Sequence, residues 1–405
     1  MKTPPLPLEE AQARILALAE QLPIEHVDVE GALGHFLAEP LYARRTQPAA
    51  DLSAMDGYAV TAGDMAGPWR VVGESAAGHP HAGAVQRGEA VRISTGAILP
   101  ENATAVILQE DLEREGDVLR LTGEPPVPPG KHIRHRGMDF ITDSEILPVG
   151  ARIGPVQVAL AIAAGHGHLP VRRKPRIAII DSGDELSGDF ANCPPHQIPA
   201  SNGAMLKAMV AGLPCMVERL GPAADNMVAI AQVLEKAVTA DIIVTSGGAS
   251  VGDHDLIRPA LEAWGADIDF WRVAIKPGKP ILVATRAGPH GRQIVLGLPG
   301  NPVSSYVTAF LFLLPLLRGM LGAGAPLSRP IRATLGAPLK PGGSRREFLR
   351  ASWDGTEISA HEMQDSGALA SLAASNALID RDARASAGEI GDHVLAYLLE
   401  NGGIA

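Results

Sequence analysis

The chain has 405 residues, 46% hydrophobic and 20% charged, with a formal net charge of -10. That length exceeds a single compact core, so two or more domains are expected, and the composition excludes a largely disordered chain. The negative balance argues against a general nucleic-acid binder, which needs a broad basic face.

Two cysteines without CxxC spacing, Cys193 and Cys215, offer neither a zinc site nor a disulfide framework. The start, MKTPPLPLEEAQ, lacks the apolar centre of a signal peptide. A reduced, cytoplasmic setting with no membrane partner is the simplest expectation.

Along the chain, Leu8, Ala11, Ile15, Leu18 and Leu22 recur at helical spacing and predict a helix over residues 8–22, ended by Pro23. Residues 44–60 are polar and turn-rich until Tyr58-Ala59-Val60. Residues 69–146 are short β-like pieces between Gly and Pro, which predicts a small β domain. Asp56, just before this stretch, and Thr95 within it sit on Gly-bounded turns, where ordinary turn chemistry also accounts for them. The spaced pairs His79/His81 and His166/His168 have no neighbours that complete a metal set.

An alanine-rich helical stretch follows at residues 156–168, then a joint at residues 172–175. Strands and helices alternate from residue 176 to about residue 321, the pattern of an α/β domain. The apolar run at residues 306–317 is interrupted by Pro315 and falls short of a bilayer span, so a buried helix is expected. After the linker-like residues 322–329, short strand candidates predict a second β-rich unit.

The chemistry concentrates in residues 241–305. Two short apolar runs, Ile242-Ile243-Val244 and Ile294-Val295-Leu296, each open into a Gly-rich polar turn that leads toward a helix. Parallel strands in α/β sheets end at one edge, and ligands bind outside their carboxyl ends. Gly residues there let amides approach an anion, and a helix N-terminus adds partial positive charge. Between the two turns, KPGKP places Lys276 and Lys279 near one point. Asp253 and Asp255 in SGGASVGDHD supply carboxylates, and DSGDEL adds Asp181, Asp184 and Glu185 on a third carboxyl-end loop.

Such a set suits an oxyanion held with a divalent metal. Each piece alone has a plainer account. SGGASVGDHD serves equally as a tight turn whose aspartates cap a helix, Asn301-Pro302 as a helix start, and DSGDEL as a solvated turn.

In chain order the motifs are SAMDGYAV (residues 53–60), STGAILPENATAVILQED (94–111), IRHRGMD (133–139), GDEL (183–186), SNGAML (201–206), TSGGASVGDHD (245–255), IKPGKP (275–280), GLPGNPVS (297–304) and EFLRA (347–351). Taken together the sequence resembles the MoeA family, the molybdopterin molybdenumtransferases, which are related to the E-domain of gephyrin.

The resemblance implies an α/β, multidomain fold. Its expected parts are a discontinuous, elongated helical and extended N-terminal domain (1–45 and 139–172), an inserted β domain (46–138), a central MogA-like three-layer α/β domain with a parallel-rich sheet (173–322), and a C-terminal β-barrel-like domain (323–405). It also implies molybdate insertion into adenylylated molybdopterin, with Mg2+-dependent release of AMP.

Carried over by position, the expected catalytic residues are Asp56, Asp139, Glu185, Asp225 and Asp255. The expected substrate and molybdate contacts are Thr95, Arg134, Ser250, Lys276, Lys279, Arg350 and Ser366, and Glu185 and Asp255 are the expected metal ligands. Asp365 places an extra negative charge beside Ser366. The implied partners are a second copy of the chain, with the site between subunits, a MogA-type adenylyltransferase as substrate donor, and molybdoenzymes or their chaperones as acceptors. A non-catalytic molybdopterin-binding scaffold and a MogA-like adenylyltransferase are the competing readings.

Overall fold

The most apolar stretch of the chain forms the centre of the fold. In a computed structural model that describes residues 5–247 and 256–399, with only the backbone of Phe270, a six-stranded mixed sheet stands at the middle. Its order is Met216–Ala223, Arg176–Ser182, Ile242–Ser246, Gly291–Leu298, Pro280–Gly288, Asp267–Arg272. The first four strands run parallel and the last two join by antiparallel pairings, so only Pro280–Gly288 runs against the others. The expected strands at residues 176–180, 242–244 and 294–296 are the three inner strands of the parallel part. Buried on both faces, they read as nearly continuous Ile/Val/Leu runs, as inner parallel strands do.

Helices α1 (Leu8–Ala17), α2 (Pro155–Ala163), α3 (Asn202–Val210), α4 (Met227–Lys236) and α5 (Ile257–Ala263) are followed by a long rod. The rod comprises α6 (Pro302–Thr308), a π turn (Ala309–Leu313) and α7 (Leu314–Met320). Residues of α1, α3 and the rod pack one face of the central sheet, and residues of α4 and α5 pack the other.

Three units flank this core. Strand Ile24–Asp28 pairs with His168–Arg172, and Leu41–Tyr42 pairs with Glu145–Leu147, around a core of Val29, Leu37, Ile153 and Leu169. Between these pairings the chain builds a second six-stranded sheet from residues 57–121. After the rod, strands Ile331–Leu335, Arg346–Trp353, Glu357–Ala360, Ala377–Arg381 and His393–Leu398 close on themselves as a five-stranded barrel. The strand Ile275–Lys276 joins that barrel in parallel register with Arg346 and Glu347.

Two expectations are corrected. The first helix ends at Ala17 rather than at Pro23, because the amide of Leu22 bonds to the Met320 carbonyl at 3.1 Å and draws the chain onto α7. Leu8, Ala11, Ile15 and Leu22 are buried as the spacing required, but in the core of the central sheet rather than in the N-terminal unit.

Pro315 does not interrupt the apolar run, because the helical rod from residue 302 to residue 320 passes through it. A proline cannot donate to the carbonyl four residues earlier, and here that carbonyl, Leu311 O, accepts instead from Gln12 Nε2 at 3.1 Å. The rod is long and apolar enough to cross a membrane, yet 89% of that window is buried inside the protein.

The joint at residues 172–175 is fastened electrostatically. Arg173 donates to both carboxylate oxygens of Asp241, at 2.7 and 2.8 Å, and the Arg176 amide donates to one of them at 2.8 Å. Burial pushes the Asp241 carboxyl up, but the Arg173 guanidinium and the Arg176 amide outweigh it and hold its pKa below the ordinary 3.8.

Gln12→Leu leaves the Leu311 carbonyl without a partner, so it lowers unfolding stability in urea by about 1–3 kcal/mol. Asp241→Asn strands a largely buried guanidinium and costs about 3–5 kcal/mol at pH 7. Because the folded pKa of Asp241 is depressed, its stabilisation is fully present above the unfolded value near 3.8 and is lost as pH falls through the lower folded value. The gap between wild type and Asp241→Asn therefore narrows in unfolding curves measured below about pH 4.

Candidate active site

The parallel strands end at one edge, and the loops leaving them enclose a cleft of about 820 Å³. Strand Arg176–Ser182 delivers Asp181, Ser182 and Glu185. Ser246 and Gly247 come from the end of Ile242–Ser246, and residues 299–302 from the end of Gly291–Leu298. Ser201 and Asn202 enter at the start of α3, Pro280 from the lysine turn, and Gly367 and Leu369 from beyond the barrel strand that carries Arg350.

Asn202 ties three of these segments together. Its Nδ2 donates to Ser246 Oγ at 2.9 Å and to the Gly300 carbonyl at 2.7 Å. Below it, the Asp181 carboxylate accepts from the Gly203 amide at 3.0 Å and from Arg219 Nη2 at 3.3 Å. Asp181 is only 2% exposed, and burial raises its pKa despite the Arg219 guanidinium. Glu185 is exposed at the cleft wall, with its carboxylate folded over Gly183, where an added Cβ would lie 2.2 Å from Oε2.

The other site residues expected from the sequence fall into three groups. Asp225 is exposed on the neighbouring carboxyl-end loop, and its amide donates to Asp184 Oδ1 at 3.0 Å, which joins two acidic loops at the same edge. Lys276 and Lys279 stand in the turn between Asp267–Arg272 and Pro280–Gly288, which returns to the same edge. Lys276 Nζ lies 3.0 Å from Glu347 Oε1, and Lys279 is exposed. Gly278 packs so closely on the rod that a Cβ would meet Thr308 Cγ2 at 2.4 Å, and its φ of +98° is one that only Gly adopts easily.

Ser366 approaches from the C-terminal unit. Asn301 Nδ2 donates to Ser366 Oγ at 3.0 Å, and the Val303 amide donates to the Ser366 carbonyl at 3.2 Å. Asn301 and Pro302 begin α6 as the sequence indicated, but the Asn301 side chain serves Ser366 instead of capping the helix. Arg350 is 1% exposed, and its guanidinium donates to the carbonyls of Met363 and Asp365 at 2.7 and 2.9 Å. It acts on the cleft through the loop that carries Ser366, and burial lowers its pKa although Asp365 opposes this.

The third group lies beside the second sheet and on the separate two-stranded pairing of Leu52–Ser53 with Ile133–Arg134. Asp56 Oδ1 accepts from the Thr95 amide at 2.7 Å. Arg134 pairs with Leu52, and the Asp139 amide donates to the Gln47 carbonyl at 3.1 Å. Asp56, Thr95, Arg134 and Asp139 are all exposed, and none of them lines the cleft of their own chain. Ser250 and Asp255 lie outside the described residues.

Asn202 and Ser246 were not singled out by sequence, and Asp181 was read only as one of three carboxylates on the DSGDEL loop. Their signal was present in SNGAML, in TSGG and at the end of the DSGDEL strand, but their part depends on which loops become neighbours. Arg350→Met takes the guanidinium from the carbonyls of Met363 and Asp365 and leaves the former only Ser371 Oγ, so residues 361–367 and the Val303 amide exchange hydrogen faster by mass spectrometry, with a stability loss of about 2 kcal/mol.

Three family models match the chain: MoeA N-terminal region (domain I and II) over residues 6–165, probable molybdopterin binding domain over 178–319, and MoeA C-terminal region (domain IV) over 332–399. A molybdopterin molybdenumtransferase of Nostoc sp. is 35% identical over 313 residues, covering 75% of this chain and 71% of its own. That of Haemophilus influenzae is 33% identical over 370 residues, covering 89% of both. The crystal structure of the molybdopterin biosynthesis MoeA protein from Pyrococcus horikoshii OT3 superposes with a TM-score of 0.83 at 28% identity, over 98% of this chain and 100% of that one. With three successive models and full-length relatives matched along it, the chain belongs to the MoeA family.

Proposed function

We propose that the protein is a molybdopterin molybdenumtransferase. It inserts molybdate into adenylylated molybdopterin and releases AMP. The observation that carries this reading is the cleft itself: Glu185, Asn202, Ser246 and Asn301 converge on one sheet edge beside the lysine turn. Oxygen and amide groups there suit a phosphoanhydride, and the exposed Lys279 ammonium suits a tetrahedral dianion.

Mg2+ fits this donor set. Among the described residues no three His, Cys, Asp or Glu surround one point. Magnesium needs no such cage, since it is commonly held by one or two carboxylates, water and substrate phosphate oxygens. Glu185 supplies one carboxylate, and Asp255, outside the described residues, is the second in this reading. When bound, the ion neutralises phosphate charge and polarises the anhydride. Lys279 orients the oxyanion, Asn202 fixes the loops around it, and Ser366 closes over α6.

The exposed set Asp56, Thr95, Arg134 and Asp139 completes the cleft of a second copy, so the working enzyme is a homodimer. The divided domain plan expected from the sequence goes with this arrangement, the inserted β domain reaching across. A MogA-type adenylyltransferase supplies the substrate in the cytoplasm, and molybdoenzymes or their chaperones receive the product.

Purified protein given adenylylated molybdopterin, Mg2+ and molybdate should release AMP. Glu185→Ala should abolish release with the fold intact, and Lys279→Ala should raise the molybdate concentration needed. Absence of AMP release by the wild type would return the chain to a binding scaffold, and ATP-dependent adenylylation of molybdopterin would make it an adenylyltransferase. Mixing inactive Asp56→Ala with inactive Glu185→Ala subunits should restore about a quarter of wild-type activity by random pairing. No recovery in exchanged dimers would place both residues in a site made by one chain.

A further inference from the structure

We propose that a second cavity, separate from the cleft, binds a small apolar carboxylate. The cavity encloses about 540 Å³, within the range of small-molecule sites. It forms where separate parts of the fold meet. Phe36 and Arg152 come from the N-terminal unit, Met205 and Met209 from α3, Phe310 and Leu314 from the rod, and Leu398 from the barrel.

The walls are apolar, and three arginines line the space with no acidic residue among them: Arg152, Arg318 and Arg329. Arg318 is part of the wall, since its Nη1 donates to Ser328 Oγ at 2.9 Å and to the Pro326 carbonyl at 3.3 Å. Arg152 is exposed and donates to the Gly212 carbonyl at 3.3 Å, a long contact that leaves most of its donors for a ligand. Arg329 is exposed too, and no ion pair with an acid engages it or Arg152 among the described residues.

Positive charge without internal acid, set over an apolar body, selects an anion with an apolar body. Planar guanidinium groups favour a carboxylate, which they meet with two parallel hydrogen bonds. The rod adds a second indication, because its π turn at Ala309–Leu313 places Phe310 in the cavity wall. π turns inside helices occur often at functional sites. The occupant would also touch the two helices, α3 and α6 with its continuation, whose first residues Asn202 and Pro302 line the cleft.

The test is isothermal titration of the full-length protein with 1-naphthoate and with 1-naphthylmethanol, which has the same apolar body without the charge. The site requires saturable binding of one naphthoate per chain, with the alcohol at least about tenfold weaker. Arg152→Ala with Arg329→Ala should weaken naphthoate by about tenfold or more and leave the alcohol unchanged. Met209→Trp, which fills the cavity, should abolish binding of both, while circular dichroism and thermal midpoint stay near wild type in every variant. Equal affinity for the two probes, unchanged binding in the arginine variant, or no binding to the intact protein, as when a second copy covers the cavity, would each overturn the proposal.

Discussion

Parallel strands that stop at one edge leave their last backbone groups without ladder partners, and those groups must be satisfied by whatever follows. In this protein the answer is a set of short polar contacts. The Asp181 carboxylate takes the Gly203 amide, Asn202 bridges Ser246 and Gly300, the Asp184 carboxylate takes the Asp225 amide, and the Gly247 amide bonds to the Leu298 carbonyl. The same contacts that complete the edge also shape the cleft. Gly247 cannot leave the cleft without uncovering the Leu298 carbonyl at the end of its strand.

The barrel belongs to this arrangement rather than standing beside it. Its strand Arg346–Trp353 accepts the lysine-bearing strand Ile275–Lys276, so the Lys276–Glu347 pair spans two units. With Lys276 half exposed, that ion pair alone contributes about 1 kcal/mol or less. Register and the hydrogen bonds around it do the holding. Three residues on, Arg350 spends its guanidinium on backbone carbonyls and fixes the loop that sets Ser366 over the start of α6. Arg346 extends the connection to α1, pairing with Asp380 at 2.6 Å and with Glu9. Three arginine-centred or lysine-centred contacts on one strand thus tie α1, the lysine turn and the Ser366 loop to one barrel.

The rod beneath the cleft shows how a local defect is absorbed by tertiary structure. Pro315 removes one hydrogen bond from a helix that is otherwise almost entirely buried, where an unsatisfied carbonyl is costly. Gln12, nearly 300 residues away in sequence, supplies the missing donor. The N-terminal helix is therefore fastened to the central core by a polar bond as well as by the packing of Leu8, Ala11 and Ile15.

The sequence by itself determined a good deal. Apolar runs of strand length before Gly-rich turns located the three inner parallel strands, because a strand buried on both faces admits little but Ile, Val and Leu. The order of nine motifs identified the family, and Asn301-Pro302 marked the start of α6 correctly. Tertiary structure decided the rest. Helical spacing cannot say which core a helix joins, so α1 was legible as amphipathic but not as a part of the central domain. A proline in an apolar run reads as a break unless a distant donor is known. Arg350 read as a cation for substrate, whereas burial turned it toward two carbonyls. Asn202 had no role until its two partners, Ser246 and Gly300, about 40 and 100 residues further along the chain, came within hydrogen-bond distance. Hydrogen bonds act over about 3 Å of space irrespective of sequence separation, and that is the physical reason the edge was readable from the chain but the closure of the cleft was not.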